Sequence, residues 1–180
     1  MGRLILLGFI LCLHPVFVSQ QGVYAKAPDL KKRIFTAKVI RIMDGDTMEI
    51  LYQQTPTKIR LAHIDCPEKR GRQPFGNNAK KALSDLCFGQ NVTVYAEKYD
   101  RYRRLIAVVV NTKKQVVNQE MIKQGMAWHY KKYSTDQLYA QLEITARKNK
   151  VGLWSDASPT PPWEWRKPKH NSLPGISISK

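Results

Sequence analysis

Residues 34–52 read IFTAKVIRIMDGDTMEILY, and this stretch decides the fold class. Alternation puts Ile34, Thr36, Lys38, Ile40 and Ile42 on one side of a strand. Phe35, Ala37, Val39 and Arg41 fall on the other. Asp44-Gly45-Asp46 is a turn signal, because Asp-Gly suits a tight chain reversal. It leads into a second strand, residues 47–52. Outward from there, residues 53–56 make another turn and 57–63 a third strand. A polar loop rich in Pro, Gly and charge runs over residues 65–74.

The pattern then changes period. Ala79, Ala82, Leu83, Leu86 and Cys87 recur at helical spacing, which predicts a helix over 77–87 with Gly89 as its stop. Strands follow at 92–97 and 105–110, joined by residues 98–104. Residues 118–124 read as a short helix ended by Gly125. Residues 135–150 read as the last helix, with Leu138 and Leu142 one turn apart and Gly152 ending it. Five strands, a helix after the third and about three helices in all predict an α+β chain, mainly β. Its count fits the five-stranded barrel called the OB-fold.

The chain has 180 residues, with 30 Lys and Arg against 14 Asp and Glu and a formal charge of +16. That length suits one domain with tails, and that charge attracts polyanions. Charge alone does not separate nucleic acid from an anionic membrane surface. At the N-terminus, Arg3 precedes a nearly continuous apolar run from Leu4 to Leu13, which Pro15 interrupts. The run is short for a membrane span, so residues 1–25 are expected to be a signal peptide cleaved after Ala25. The alternative is an uncleaved anchor. An exported chain, acting as a monomer with no membrane segment in its mature form, is the expectation. Residues 26–32 are a basic leader, 33–154 the domain and 155–180 a Pro- and Trp-containing tail, partly disordered. Only a packing role over the barrel is assigned to that tail. Cys66 and Cys87 form either a disulfide or two buried thiols.

Acids are in deficit, so those at structural corners draw notice. Asp46 follows the glycine turn; Asp65 and Glu68 stand at a strand exit. Two carboxylates with a carbonyl and waters suit a hard divalent cation. Arg60 lies among apolar strand residues and could meet a phosphate with its planar fork, or could simply face solvent. Arg101, Tyr102, Arg103 and Arg104 crowd one turn, as a phosphate clamp beside an aromatic or as a solvated basic loop.

Taken in order, Asp44-Gly45-Asp46-Thr47, Arg60-Leu61, Ile64-Asp65-Cys66-Pro67-Glu68 and Asp100 through Arg104 resemble the staphylococcal nuclease family. Phe75-Gly76, Val117-Asn118, Gly125-Met126-Ala127 and Gly152-Leu153-Trp154 extend the likeness over roughly residues 33–154. The resemblance implies a Ca2+-dependent endonuclease acting on DNA and RNA with little sugar specificity. It implies that Asp46, Asp65 and the backbone carbonyl of Cys66 bind the ion. It implies that Glu68 activates the attacking water, and that Arg60 and Arg104 hold the phosphate. Asp44 would support the ion's ligands from behind. Tyr102 would line the nucleotide site, and Tyr130 or Tyr133 would stack on a base. Two departures stand out: Cys66 replaces a threonine, and Arg103 replaces a glycine, where a positive φ would strain it. His63 and His129 are expected to be structural. The rival function is a non-catalytic nucleic-acid-binding barrel; a membrane or cell-wall binder gives no reason for the three acids.

Overall fold

The computed structural model describes residues 28–168. The expected signal peptide and its expected cleavage point fall outside the described residues, as does the last stretch of the tail. Strands β1 (Ile34–Asp44), β2 (Thr47–Tyr52), β3 (Thr55–Leu61), β5 (Asn91–Tyr99) and β6 (Leu105–Val110) close a barrel in the order β1-β2-β3-β6-β5. The closing pair β3–β6 is parallel and the others are antiparallel. The short β4 (Ile64–Asp65) pairs with β7 (Trp128–His129) outside the barrel. Helices α1 (Gly76–Cys87), α2 (Val117–Lys123) and α3 (Gln137–Lys148) complete the expected set of three, and the chain is an OB-fold. A 3-10 turn, Gly152–Ser155, and a one-turn helix α4, Pro162–Trp165, follow.

The opening strand departs from simple alternation. Ala37 and Val39 are buried, as expected for one face, yet Ile42 from the other face is buried too. Irregular register against β2 between Val39 and Arg41, and again between Ile42 and Asp44, turns the end of β1 over. A bulge re-aims side chains in this way and lets a sheet curl into a barrel. The last helix also differs from its reading. Tyr139, Glu143 and Ala146 are its buried residues, while Leu138 is 51% exposed. Docking against α2 and the Trp128–Trp154 cluster chose that face, and one leucine pair was too weak a signal to indicate it.

Cys66 and Cys87 are both free and buried, so the second thiol reading holds. Asn118 is the polar post at the barrel's closing seam. Its Nδ2 donates to the Ala62 and Ala107 carbonyls at 3.0 and 3.1 Å, and its Oδ1 accepts from the Val109 amide at 3.0 Å. The residue is fully buried. Asn118→Leu keeps the branched shape but removes three bonds at once. It is expected to lower stability by roughly 3 kcal/mol, since buried partners left unpaired carry the full desolvation cost. An unchanged urea midpoint would contradict that role.

Candidate active site

The Asp44–Thr47 turn, the end of β3, β4 and the loop after it meet at one end of the barrel. Gly45 allows the approach: a Cβ there would lie 2.7 Å from the Ala79 Cβ and 2.8 Å from the Cys66 Cβ. Any side chain would push this turn off α1 and off the strand that carries Asp65. Register brings the charged groups together, because Thr47 pairs with Arg60 across β2–β3.

Arg60 is the hub. Its Nη2 lies 2.7 Å from Asp65 Oδ1 and 3.1 Å from Asp46 Oδ2. Its Nη1 donates to the Leu61 and Ile64 carbonyls, each at 2.9 Å. Three Nη protons are thus committed inside the protein, and Asp46 adds an ion pair. The outward, solvated alternative for this side chain is excluded, since only 11% of it is exposed. The Cys66 amide donates to Asp46 Oδ2 at 3.0 Å, and the Thr47 hydroxyl to Asp46 Oδ1 at 2.9 Å. Asp44 Oδ1 caps the turn by accepting from the Gly45 amide at 2.9 Å and from Lys69 at 3.3 Å.

Asp65 has no exposed side-chain surface. Burial pushes its pKa up to about 6, and neighbouring Asp46 adds to the rise against the pull of Arg166 and Arg60. Burial raises the Glu68 carboxyl as well, though Arg166 opposes it. The Cys66 thiol is pushed well above its usual range by complete burial, and then by Asp46, so it stays protonated. Among the described residues, no three Asp, Glu, His or Cys side chains converge closely enough to form a cation cage alone. Two carboxylates sharing one guanidinium nitrogen, beside the backbone of Cys66, are instead an oxygen set with spare negative charge. Such a set fits a hard cation completed by carbonyl and water, and an inert thiol gives a soft metal no ligand.

Glu68 sits on a loop pinned from two sides. Gln73 accepts its amide proton at 2.9 Å and donates its own backbone N–H to the Glu68 carbonyl at 3.2 Å. Gly76 packs so near that a Cβ would lie 2.4 Å from the Glu68 carbonyl oxygen. Gln73 then reaches the tail by donating to the Thr160 carbonyl at 2.8 Å. The Gln73 bridge is invisible in the sequence, where the residue is one polar position in a polar loop.

The basic turn stands next to this cluster, because Leu105 pairs with Ile59 and Ile106 with Arg60. Asp100 organises it. Its Oδ1 accepts the Tyr102 and Arg104 amides at 2.9 Å each, and its Oδ2 takes Arg104 Nε and Nη2 at 2.7 Å. Burial pushes the Asp100 carboxyl up, but the bonds and charge of Arg104 outweigh it and leave the pKa below the usual value. Arg103 has φ +60°, so the position expected to need a glycine does adopt the left-handed conformation. Holding arginine there costs on the order of 1 kcal/mol. Tyr102 is 64% exposed, with the Arg101 and Arg104 guanidiniums 4.8 and 5.5 Å from its ring centre.

Tyr130 and Tyr133 lie farther along, beyond β7. The Tyr130 ring is parallel to Trp163, with centroids 5.4 Å apart, and edge-on to Tyr133 at 4.9 Å. Tyr130 and Trp163 border a cavity of about 490 Å³ whose walls include Trp128, Lys131, Lys132 and Arg147. His129 is structural as expected: it is buried, and its Nε2 lies 2.9 Å from the Ser134 hydroxyl. His63 shares that hydroxyl through Nδ1, also at 2.9 Å.

The tail supplies what sequence reading missed. Beyond its packing, it delivers Arg166 to the acids. Arg166 Nη2 donates to Asp65 Oδ2 at 2.6 Å, and Nη1 pairs with Glu68 Oε1. The two partners lie 101 and 98 residues away in the chain. The dense Trp163-Glu164-Trp165-Arg166 cluster was the one available signal, and nothing local says where it docks.

The family model described as Staphylococcal nuclease homologue matches residues 58–156. A protein of Haemophilus influenzae named as an uncharacterized endonuclease is 47% identical over 133 residues, 73% of each chain. A protein of Shigella flexneri named micrococcal nuclease is 38% identical over 148 residues, covering 77% of this chain and 84% of that one. A rice protein named as a probable staphylococcal-like nuclease is 35% identical over 82% of this chain, which spans 43% of that longer protein. The barrel, the order of its acids and arginines and these matches agree, and the chain belongs to the staphylococcal nuclease family.

Proposed function

We propose that the chain is an exported, calcium-dependent endonuclease that hydrolyses phosphodiester bonds of DNA and RNA with little sugar specificity. The observation that carries it is the joining of Asp46, Asp65 and Arg60 in one buried cluster, with Glu68 at its exposed edge. The relatives' printed names support the nuclease class. Asp46, Asp65 and the Cys66 carbonyl would hold Ca2+. When bound, the ion supplies positive charge against the phosphate and its developing negative charge.

The chain's own groups do the rest. Glu68, 25% exposed, accepts a proton from the attacking water. Arg60, with its guanidinium held by the acids and carbonyls, acts as a fixed positive charge behind the phosphate. Arg104, partly exposed on an organised turn, meets the phosphate oxygens directly as negative charge builds up. Tyr102 presents a ring beside it for a base or sugar. The cavity walled by Tyr130, Lys131 and Lys132 fits a flanking stretch of single strand, since aromatic faces and lysines are what such a strand uses.

The test is a cleavage assay on single-stranded DNA and on RNA, with added calcium or with excess chelator. Cleavage of both in calcium and none in chelator is the expected result. Undiminished cleavage in chelator would falsify the calcium requirement. Calcium-independent binding without any cleavage would favour the non-catalytic barrel instead.

A further inference from the structure

Two guanidiniums hold Asp65, and they are bound in different ways. Arg60 is built in. It is nearly buried and spans four acceptors, two of them backbone carbonyls. Arg166 is a visitor on a tail. Its side chain is 42% exposed, and its contacts are all carboxylate: Asp65 Oδ2 at 2.6 Å, Asp65 Oδ1 at 3.3 Å and Glu68 Oε1. Breaking Arg60 away would strand two carbonyls. Releasing Arg166 returns its own partly exposed guanidinium to water, and the buried Asp65 oxygen it leaves is not stranded when a cation takes its place.

Nor is Arg166 needed to dock its own segment. Trp163 already packs edge-on against Trp128, with centroids 5.6 Å apart, and lies parallel to Tyr130. The Thr160 carbonyl is tied to Gln73. The arm is anchored just before α4, at Thr160, and within it, at Trp163, without the arginine, so the arginine is available for another task. That task is set by its targets: the buried carboxylate at the centre of the cluster and the carboxylate at its edge.

We propose that Arg166 is a positioning residue of this site and a tethered competitor of the divalent cation. Its fork holds Asp65 and Glu68 side by side against their mutual repulsion, and it yields Asp65 when the cation takes that carboxylate. The inference rests on the calcium reading above. Both oxygens of Asp65 carry a guanidinium nitrogen in this arrangement, Oδ1 from Arg60 and Oδ2 from Arg166. Asp65 is fully buried and Arg166 is the partly exposed group on its Oδ2, so a cation reaching that oxygen meets the like charge of Arg166, the guanidinium that can leave. Because the competitor is part of the chain, it is always present at high local concentration. The consequence is a weakened apparent affinity for calcium, paired with a Glu68 carboxylate already oriented before the ion arrives.

Calcium titration calorimetry on the purified chain tests this without using cleavage. Wild type, Arg166→Gln and Lys167→Gln are compared. Lys167 pairs with Glu164 on the same arm, so its substitution removes an equal charge without touching Asp65. Arg166→Gln is expected to bind calcium about tenfold tighter, a coupling of ordinary size between two linked sites. Lys167→Gln is expected to match wild type. Unchanged or weaker binding by Arg166→Gln overturns the competition, and so does an equal gain in both variants, which would mark a bulk charge effect. No calcium binding by wild type would sink the calcium reading itself, a distinct result. Should Arg166→Gln fail to fold, the wild-type chain still decides. The NMR signals of the Arg166 guanidinium should shift as calcium is added, and signals that stay in place while calcium binds refute the displacement.

Discussion

Replacing Glu68 with glutamine is expected to lower turnover by about 10²–10⁴-fold, the usual worth of a positioned general base. The amide keeps the shape and can still accept a bond from Arg166, but it cannot take a proton from water. The loop itself is held by backbone bonds to Gln73 and by the close packing of Gly76, none of which uses the carboxylate. Affinity for a short oligonucleotide should therefore stay close to wild type while the rate falls. Two results would sink the assignment: a variant that cleaves at the wild-type rate, or one that loses binding and rate together. The second would make Glu68 a structural residue.

Arg60→Lys is expected to damage both stability and rate. Lysine keeps the charge but offers one ammonium in place of a planar fork, so it cannot meet two carbonyls and two carboxylates at once. The Leu61 and Ile64 carbonyls, or one of the acids, lose their partner in a nearly dry setting. Breaking such a buried pair costs about 3–5 kcal/mol when a charge is stranded, and the retained ammonium places this variant near the low end. Turnover should fall by about 10²–10³-fold, as when one electrostatic contact to a transition state is removed. Urea unfolding and steady-state rates measured on the same preparation check both parts. A variant with wild-type midpoint and rate would show that Arg60 is neither hub nor catalyst.

The barrel was legible because its strands announce themselves by alternation and its turns by chemistry. Asp-Gly at residues 44–45 marks a reversal, and the run from Leu105 to Val110 is apolar enough to require burial. Helix positions followed from period, with ends displaced by a residue or two. The miss on α3 has a simple cause. Glu143 is 3% exposed and bonds Arg147, so a charged residue lies inward while Leu138 lies outward. Hydrophobic periodicity cannot foresee a buried carboxylate satisfied by its own helix.

The candidate site residues stood out as an ordered set of motifs, and the departure at Arg103 was legible as a strained position. Their committed partners were not. No pattern in the chain says that Arg60 spends its fork on Asp46, Asp65 and two carbonyls, because those bonds depend on β2–β3 register and on the turn at Gly45.

By itself, then, the sequence determined the barrel's strands, the basic charge that draws polyanions and the family motifs with their acids and arginines. Those are properties of residue type and near-neighbour spacing, which local chemistry dictates. Only the tertiary structure decided that the two cysteines stay apart as thiols, that Gln73 ties the Glu68 loop to the tail, and that Arg166 sits on Asp65 and Glu68. The last two join groups from distant parts of the chain. Such contacts are selected by the packing of the whole molecule, through Trp163 against Trp128 and Tyr130, and leave no periodic trace in the residues that make them.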